Sequence, residues 1–318
     1  MASPTIAAGS RHRAGRTASD NRRRETLAGY GFMLPVLLGM LIWTLIPMLL
    51  SLYYSFTRYN LPRNPEFIGI DNYKGLFTDP TFYNALKVTV IYAVVSVPVG
   101  LVVGLLIAVL LNQQVLGMRV FRTLIYLPAV IPVVASTVVF KDLMSPSNYG
   151  LINYVLMKIG IINTPIEFFT SPSTALWSVI FMSLWGAGGA MLVWLAGLQS
   201  VPNELYEASK VDGAGALRRF FSITLPIISP TILFNAVLGI IGSLQVFVQS
   251  LVITNGSSGA PLGALDFVDV FIYRHSFGYL QMGYGSAAAW VLFVIVVIVT
   301  LLFFRSSRRW VFYMGGDR

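Results

Sequence analysis

The chain has 318 residues, of which 56% are hydrophobic and only 11% are charged, and its mean hydropathy is +0.72. About a quarter of the residues of a soluble domain are charged. This composition therefore excludes a soluble domain and indicates a membrane protein. Cysteine is absent, which excludes a disulfide framework and thiolate metal sites. The net charge of +9 has to be interpreted from where the charges lie.

The amino-terminal residues 1–29 are polar and rich in Arg and Ser. They precede an apolar run that is too long for a signal peptide, and no small-residue cleavage site follows it. We therefore predict a disordered, basic tail over residues 1–29 that is not cleaved. A membrane domain is predicted over residues 30–305, and a second short tail over residues 306–318.

Six apolar runs are long enough, or nearly so, to cross the membrane as helices. A hydrocarbon core of about 30 Å needs about 20 residues of helix, and no run contains Asp, Glu, Lys, Arg or His. The predicted fold class is all-α, a polytopic membrane protein with six transmembrane helices. The runs cover residues 31–56, 88–111, 123–140, 174–198, 231–253 and 286–304.

The basic residues are distributed unevenly between alternate loops. The two tails, the loop after the second span and the loop after the fourth span hold 15 of the 22 Lys and Arg residues. That side of the chain nets +9, and the other side nets zero. By the positive-inside rule both termini and the loop at about 200–226 are cytoplasmic. The basic excess therefore indicates topology, not nucleic-acid binding.

The loop after the fourth span contains a charged segment, YEASKVDGAGALRRFFSITLP, at residues 206–226. Pro202 suits a first helical turn, and Gly213 and Gly215 mark a break. Leu217, together with the two phenylalanines that follow it, then gives a second short amphipathic helix. A solvated loop needs no apolar stripe, so the segment is predicted to dock on a partner.

The fifth run carries polar residues at a seven-residue spacing, Asn235, Gly242 and Gln249, with Ser243 and Gln245 nearby. On one continuous helix these positions share a face. Their amides either pair with a neighbouring helix or line a polar pathway. With an aromatic residue such as Trp185 near them, a pathway of this kind would suit an uncharged, polyhydroxylated solute.

Several enzymatic chemistries lack their motifs. There is no GxxxxGK[ST] loop for ATP, and the GxGxxA match at residues 283–288 opens a predicted membrane helix, so it is a false positive. His12 and His275 have no partners at metal-ligand spacing. We predict no catalytic residue, cofactor site or metal site. A stand-alone secondary transporter is disfavoured because no span holds an ionisable residue. It remains an alternative, as does a membrane-embedded glycosyltransferase.

The charged segment resembles a known signature, the "EAA" loop of the membrane subunits of ATP-binding-cassette importers. The similarity lies in Glu207-Ala208-Ser209, Asp212-Gly213-Ala214 and Leu225-Pro226. Ser209 and Leu217 replace the more usual Ala and Trp. The stretches FIGIDNYKGLFTDPTFYNAL, FRTLIYLPAVIP and LQVFVQSLVITNGSSGAP are similar to the carbohydrate branch, of the maltose and glycerol-phosphate importer type. The extra residues before Pro261 depart from that branch.

The resemblance implies a non-catalytic permease subunit of a binding-protein-dependent sugar importer in the bacterial inner membrane. Its partners would be a second, similar permease subunit, two ATPase subunits that bind ATP and Mg, and an external solute-binding protein. The segment would act as the coupling helix that docks on the ATPase through Glu207, Ala208, Asp212, Gly213, Ala214, Leu225 and Pro226. Sugar contacts are expected near Gly186 and Gln245. The full set of predicted pathway residues is Gly186, Gln245, Gln249, Asn235, Ser243 and Trp185.

Overall fold

A computed structural model describes residues 14–113, 115–147, 150–256 and 261–312 of the chain, and nearly all of its regular structure is helical. Contacts within the chain divide it into two compact units, Met1–Tyr53 and Tyr54–Arg318. The second unit contains a central cavity and the loop at about 200–226, which is called the cytoplasmic loop after its predicted side of the membrane.

The first membrane span is the carboxyl-terminal part of a long, nearly continuous helix. Helix α1 covers Ala14–Met40, a π-helical turn covers Leu41–Leu45, and α2 covers Ile46–Ser55. The prediction of a disordered tail is therefore wrong for residues 14–29, which are helical, while residues 1–13 lie outside the described residues. Ala, Arg, Glu and Leu are good helix formers, and proline first occurs in this helix at Pro35, so nothing local stops the helix before the membrane.

A small hairpin follows the first span. Strands β1 (Thr57–Arg58) and β2 (Glu66–Phe67) pair antiparallel, and the short helix α3 (Asp71–Leu76) comes next. The Asn72 side-chain amide donates to the carbonyls of Ser55 and Thr57, each at 2.8 Å. This pair of bonds ties α3 to the residues at the start of the hairpin.

The second span is the longest helix, α4 (Pro80–Leu111), with 32 residues. Asp79 caps its start by accepting a hydrogen bond from the Thr81 amide at 2.8 Å. The Arg122 guanidinium closes its end by donating to the Leu111 carbonyl at 2.8 Å. At 1.5 Å per residue the helix is about 48 Å long, which exceeds the membrane core and extends α4 into both interfaces.

The third apolar run, which was predicted as a span over residues 123–140, is sharply bent. Helices α5 (Met118–Val130) and α6 (Val133–Leu143) meet at an angle of 96°. Pro132 causes the break, because it lacks an amide hydrogen and forces the preceding Ile131 into an extended conformation, with φ −70° and ψ 129°. Helix α7 (Leu151–Lys158) lies in the following loop.

The fourth span, 25 residues long, is broken in its middle. Helix α8 covers Ala175–Leu184, a 3-10 turn covers Ala187–Ala190, and α9 covers Met191–Gln199. The cytoplasmic loop then forms α10 (Asn203–Val211) and a second helical stretch. That stretch consists of α11 (Ala216–Arg219), a π-helical turn (Phe220–Thr224) and α12 (Leu225–Ile227).

The fifth run is also divided. Helix α13 covers Ser229–Ser243 and meets the preceding cytoplasmic stretch at 68°, and α14 covers Val248–Ile253. The outer loop contains α15 (Val268–Tyr273) and a π-helical turn (Arg274–Gly278). The last span, α16, covers Met282–Ser307.

The described residues contain four helices long and apolar enough to cross a membrane, or six when each of the two bent pairs is counted as one span. The predicted class, an all-α polytopic membrane protein, is confirmed, and the count of six agrees with that reading of the bent pairs.

Glycines on α4 and α9 let these helices approach their neighbours closely. A Cβ added at Gly104 of α4 would lie 2.9 Å from the indole nitrogen of Trp194, and one at Gly197 of α9 would clash with the Thr231 side chain. Small residues let helix backbones approach closely in membranes. The glycines therefore bring α4, α9 and α13 together around one interior space.

Candidate functional site

A central cavity of about 520 Å³ lies at mid-span between α4, the broken fourth span and α13. None of the residues that line it in the described part of the chain carries a formal charge. Five offer hydrogen-bonding side chains, and Trp194 offers an aromatic ring. The lining residues are Tyr92, Ser96, Val97, Gly100, Leu101, Ser183, Leu184, Gly186, Ala187, Gly189, Ala190, Val193, Trp194, Asn235, Leu238, Gly239 and Ser243.

The break in the fourth span forms one wall of this cavity. A Cβ at Gly188 would lie 2.0 Å from the Ile125 carbonyl oxygen, and one at Gly189 would lie 3.2 Å from the Ala129 Cβ. The 3-10 turn can therefore pack directly on α5 only because these positions are glycine. Irregular backbone inside a membrane is tolerated where it lines a cavity, and a mid-helix 3-10 turn often marks a functional position. Gly186 precedes this turn.

Three of the six predicted pathway residues, Gly186, Asn235 and Ser243, line the cavity. The Asn235 amide donates to the Thr231 carbonyl at 2.9 Å, and the Ser243 hydroxyl donates to the Ile240 carbonyl at 2.9 Å. The Ser243 hydroxyl hydrogen and one of the two Asn235 amide hydrogens are thus used within α13, while the side-chain oxygens retain lone pairs that can accept hydrogen bonds. The wall presents acceptors that suit the hydroxyl groups of a solute.

Gln245, Gln249 and Trp185 do not line the cavity. The predicted stripe of Asn235, Gly242 and Gln249, with Gln245 close to it, requires one helix that continues to residue 253, and the structure does not have one. The helix ends at Ser243, after two glycines in its last turns, and a new helix begins at Val248. Trp185 instead packs edge-on against Phe140, with ring centroids 5.7 Å apart.

Sequence reasoning missed three polar residues of the cavity, namely Tyr92 and Ser96 on α4 and Ser183 on α8. The Tyr92 hydroxyl lies close to the side chains of both serines. The Ser183 hydroxyl donates to the Ile180 carbonyl at 2.6 Å. A signal was available in the sequence, since Tyr92 and Ser96 are polar residues within a strongly apolar run and stand four positions apart, on one helical face.

The cytoplasmic loop has a sharply defined turn. Gly213 is left-handed, with φ +74°, and its amide donates to the Lys210 carbonyl at 3.0 Å. The Ala214 amide donates to the Ser209 carbonyl at 2.9 Å. This pair of bonds forms a Schellman motif that ends α10, so the predicted break at Gly213 is confirmed. Gly215 has a negative φ of −67° and is needed for no such geometry.

One face of the loop is packed against the membrane domain. The Tyr206 hydroxyl and the Thr224 hydroxyl are 2.7 Å apart, which joins α10 to the second helical stretch. Tyr206 also packs against a buried cluster that includes Trp194 and Ile228. Trp194 is 1% exposed within the chain and lines the cavity as well. The loop and the cavity therefore share one buried side chain.

The other face of the loop exposes apolar side chains. Val211 is 90% exposed, Leu217 76% and Phe221 61%. An apolar patch beside charged residues on a water-facing segment is typical of a protein interface. Among the predicted docking residues, Ala214 and Leu225 are half-buried and the others are exposed: Glu207, Ala208, Asp212, Gly213 and Pro226. Val211, the last residue of α10, was not among the predicted docking residues.

Two carboxyl groups in loops that are predicted to lie outside have shifted pKa values. Burial alone would raise the pKa of Asp79, but hydrogen bonds from the Thr81 side chain and amide and from the Tyr284 hydroxyl hold that pKa below its usual range. Burial raises the pKa of Asp269 to about 6. Asp266 is paired with Arg274 at 2.6 Å. Across residues 14–113, 115–147, 150–256 and 261–312, no group of three or more metal-ligating side chains is close enough to hold an ion.

Comparisons with known proteins agree with this geometry. The family described as "binding-protein-dependent transport system inner membrane component" matches residues 96–311. The probable ABC transporter permease protein YesP of Bacillus subtilis is 42% identical over 297 residues, which cover 93% of this chain and 95% of that protein. The arabinooligosaccharides transport system permease protein AraP of the same organism is 32% identical over 282 residues, covering 88% of each chain.

A solved structure has the same fold. One chain of a bacterial alginate ABC transporter, crystallised in complex with an alginate pentasaccharide-bound periplasmic protein, matches with a TM-score of 0.80 and 28% identity. The match covers 92% of this chain and 96% of that one. These relatives are named as permeases or transporters, not as stand-alone enzymes.

Proposed function

Because this chain belongs to the family of binding-protein-dependent transport system inner membrane components and is a permease subunit of an ABC transporter, we propose that its solute is a neutral sugar or oligosaccharide. It is a multi-pass membrane protein and not an enzyme. The two alternatives, a secondary transporter and a glycosyltransferase, receive no support from its relatives.

The observation that carries the proposal is the neutral, hydrogen-bonding lining of the central cavity. Sugars present many hydroxyl groups and a partly apolar ring face. Tyr92, Ser183 and Asn235 can bond the hydroxyls, and the exposed side chains of Val193 and Leu238 suit an apolar face. A cation or an acidic solute would gain no charge partner from this wall. The name of AraP, which refers to arabinooligosaccharides, is consistent with such a solute.

The proposed energy source is a pair of ATPase subunits that bind ATP and Mg outside this chain. Docking would use the exposed face of the cytoplasmic loop, including Glu207, Asp212 and the apolar residues Val211 and Leu217. A displacement of α10 would be transmitted to the cavity through Tyr206 and the buried cluster around Trp194, because these groups are in continuous contact. A packed chain of this kind can carry a displacement between two arrangements.

The remaining partners follow the same scheme. A second, similar permease subunit would complete the pathway, and an extracytoplasmic solute-binding protein would deliver the sugar. The proposed membrane is the bacterial cytoplasmic membrane, with both termini on the cytoplasmic side. The charge distribution supports this orientation, since the cytoplasmic segments net +9.

The solute class is tested with the assembled transporter in proteoliposomes that contain ATP, supplied with its own binding protein. Uptake of labelled neutral oligosaccharides is compared with uptake of acidic ones and of amino acids. We expect the neutral sugars to be taken up and to stimulate ATP hydrolysis. Uptake confined to acidic oligosaccharides or amino acids would refute the proposal.

A pair of matched variants tests whether the solute binds in the cavity. Ser243→Ala removes a cavity hydroxyl, and Ser136→Ala removes a hydroxyl from α6 that does not line the cavity. Loss of one hydrogen bond costs about 1 kcal/mol, so KM should rise about fivefold for Ser243→Ala. Ser136→Ala should leave KM unchanged. An equal effect of both variants would mean that Ser243 acts through helix packing.

A further inference from the structure

The cytoplasmic end of the last span carries three arginines within five residues, Arg305, Arg308 and Arg309. No acidic residue occurs between Asp269 and this end of the helix. The ion pairs found in the described part of the chain join other residues, Arg58 with Glu66, Lys74 with Asp71 and Arg274 with Asp266. The three guanidinium groups are exposed, and their positive charge is not offset by any of these pairs.

Apolar side chains precede the arginines on the same helical faces. Leu301, Phe304, Arg305 and Arg308 line one surface cleft of about 370 Å³, and Leu302, Arg305 and Arg309 line an adjoining one of about 400 Å³. Within each cleft the residues recur three and four positions apart, so they form a stripe. Each stripe is apolar where α16 lies in the membrane and basic at the carboxyl-terminal end of the helix. Leu301 and Leu302 are both exposed.

The basic end is held in a fixed position. The Ser307 hydroxyl donates to the Phe304 carbonyl at 2.7 Å, and the Val311 amide donates to the Ser307 carbonyl at 2.9 Å. The Phe312 amide then donates to the Ser229 hydroxyl of α13 at 2.8 Å. The Trp310 ring packs edge-on against Phe303, 6.0 Å between centroids. Tryptophan favours the interface between hydrocarbon and water, so it marks the depth of this turn.

We propose that this surface binds the headgroup of an anionic phospholipid of the inner leaflet, with its acyl chains along Leu301, Leu302 and Phe304. A ligand that fits both parts of the stripe needs a negative head and an apolar tail. Guanidinium groups bind phosphodiester oxygens through paired hydrogen bonds, and basic residues at a cytoplasmic membrane surface attract anionic lipids. A soluble partner could reach the arginines but not the apolar part of the stripe. The leaflet rests on the orientation proposed above; the binding itself does not.

The test measures lipid retained by the whole transporter, purified in detergent and stripped of lipid. Native mass spectrometry records binding of added phosphatidylglycerol and of phosphatidylcholine with the same acyl chains. We expect phosphatidylglycerol to bind preferentially. The variant R305Q/R308Q/R309Q should weaken that binding about a hundredfold, since each basic residue near the surface contributes about fivefold. Each single substitution should weaken it about fivefold, which covers the case of a triple variant that does not assemble.

Two further variants serve as controls. R63Q/K87Q/K158Q removes three exposed basic residues from the segments predicted to lie outside, and it should bind the lipid as the unaltered protein does. R305K/R308K/R309K keeps the charge and should retain most of the binding. Inorganic phosphate at millimolar concentration should compete only weakly, because it lacks the apolar tail.

Several results would overturn the proposal. They are equal binding of phosphatidylcholine, unchanged binding by the triple and single glutamine variants, and full displacement of the lipid by inorganic phosphate. Loss of the second permease subunit from the triple variant, with lipid binding unchanged in the rest, would identify the stripe as a subunit interface. None of these measurements depends on which solute is transported, so the lipid site and the proposed function can fail independently.

Discussion

The cytoplasmic loop and the central cavity are built in opposite ways. In the loop, the turn is formed by residues adjacent in sequence, and apolar side chains such as Val211 and Leu217 point outward. In the cavity, residues from α4, the fourth span and α13 meet over long sequence separations, and the polar side chains point inward. The comparison shows that the loop depends on local backbone geometry and the cavity on the approach of distant helices.

The largest effect is expected where the cavity wall depends on close approach. Gly188→Ala would place a Cβ 2.0 Å from the Ile125 carbonyl oxygen, so the 3-10 turn must move away from α5. Overpacking of this kind costs about 3 kcal/mol, so the melting temperature of the assembled transporter should fall by several degrees. Gly186→Ala is the matched control, because its Cβ would have no atom nearer than 3.7 Å. Equal stability of the two variants would contradict tight packing at Gly188.

A smaller effect is expected where the loop depends on backbone conformation alone. Gly213→Val meets no atom within 4 Å, but it forces a β-branched residue to adopt φ +74°. The cost is about 2 kcal/mol, enough to shift or fray the end of α10. Uptake driven by ATP should fall at least tenfold while the membrane spans stay intact. Gly215→Val, at φ −67° and equally open, should retain most uptake. If both valine variants behave alike, the left-handed turn is not what matters.

The energetic coupling between the two hydroxyl groups that connect the cytoplasmic loop toward the cavity can be measured by a double-mutant cycle. Tyr206→Phe and Thr224→Val each remove one hydroxyl of the 2.7 Å pair. Each should lower stability by about 1 kcal/mol, and the double variant should cost little more than either alone. Stimulation of ATP hydrolysis by the loaded binding protein is the functional readout, and it should weaken in all three variants. Strictly additive stability losses would show that the two hydroxyls act independently.

The smallest effect is expected outside the neutral cavity, at the half-buried carboxyl group of Asp269. The pKa of Asp269 is raised from 3.8 to about 6, so the native state holds this proton more tightly than the unfolded state does. Stability should therefore fall as pH rises from about 4 to 6, and the penalty should persist at higher pH. Asp269→Asn should raise the melting temperature at pH 7.5 and have little effect at pH 4. A variant that destabilises the protein at both pH values would indicate an ion pair or hydrogen bond instead.

The sequence predicted the turn of the loop better than the walls of the cavity. The turn depends on local backbone geometry, whereas the cavity depends on the approach of distant helices. The turn at Gly213 follows from a glycine after a short amphipathic helix, which is local information. The positions of Gln245 and Gln249 required a continuous fifth helix, and the break after Ser243 moved them off the expected face. The 96° bend at Pro132 could be anticipated as a break but not as an angle, because the angle is set by packing.

Composition predicted the membrane class, the absence of charge from the spans and the polar character of the pathway. It did not predict that α4 contributes Tyr92 and Ser96 to the cavity, since that depends on which face of α4 meets α8 and α13. The tail was the other error. Helical propensity continues through residues 14–29, whereas the prediction used only their polarity.

The position of Trp194 limits how this protein can diverge or be redesigned. Its indole contributes to the cavity wall and to the cluster under the cytoplasmic loop, and it lies so close to Gly104 that a methyl group there would touch its nitrogen. Solute preference can instead be varied on α4 and α8 through Tyr92, Ser96 and Ser183, which line the cavity but do not belong to that cluster. A substitution at Trp194 changes two compartments at once, so the residue is a poor target for altering specificity and a good one for separating transport from ATP hydrolysis.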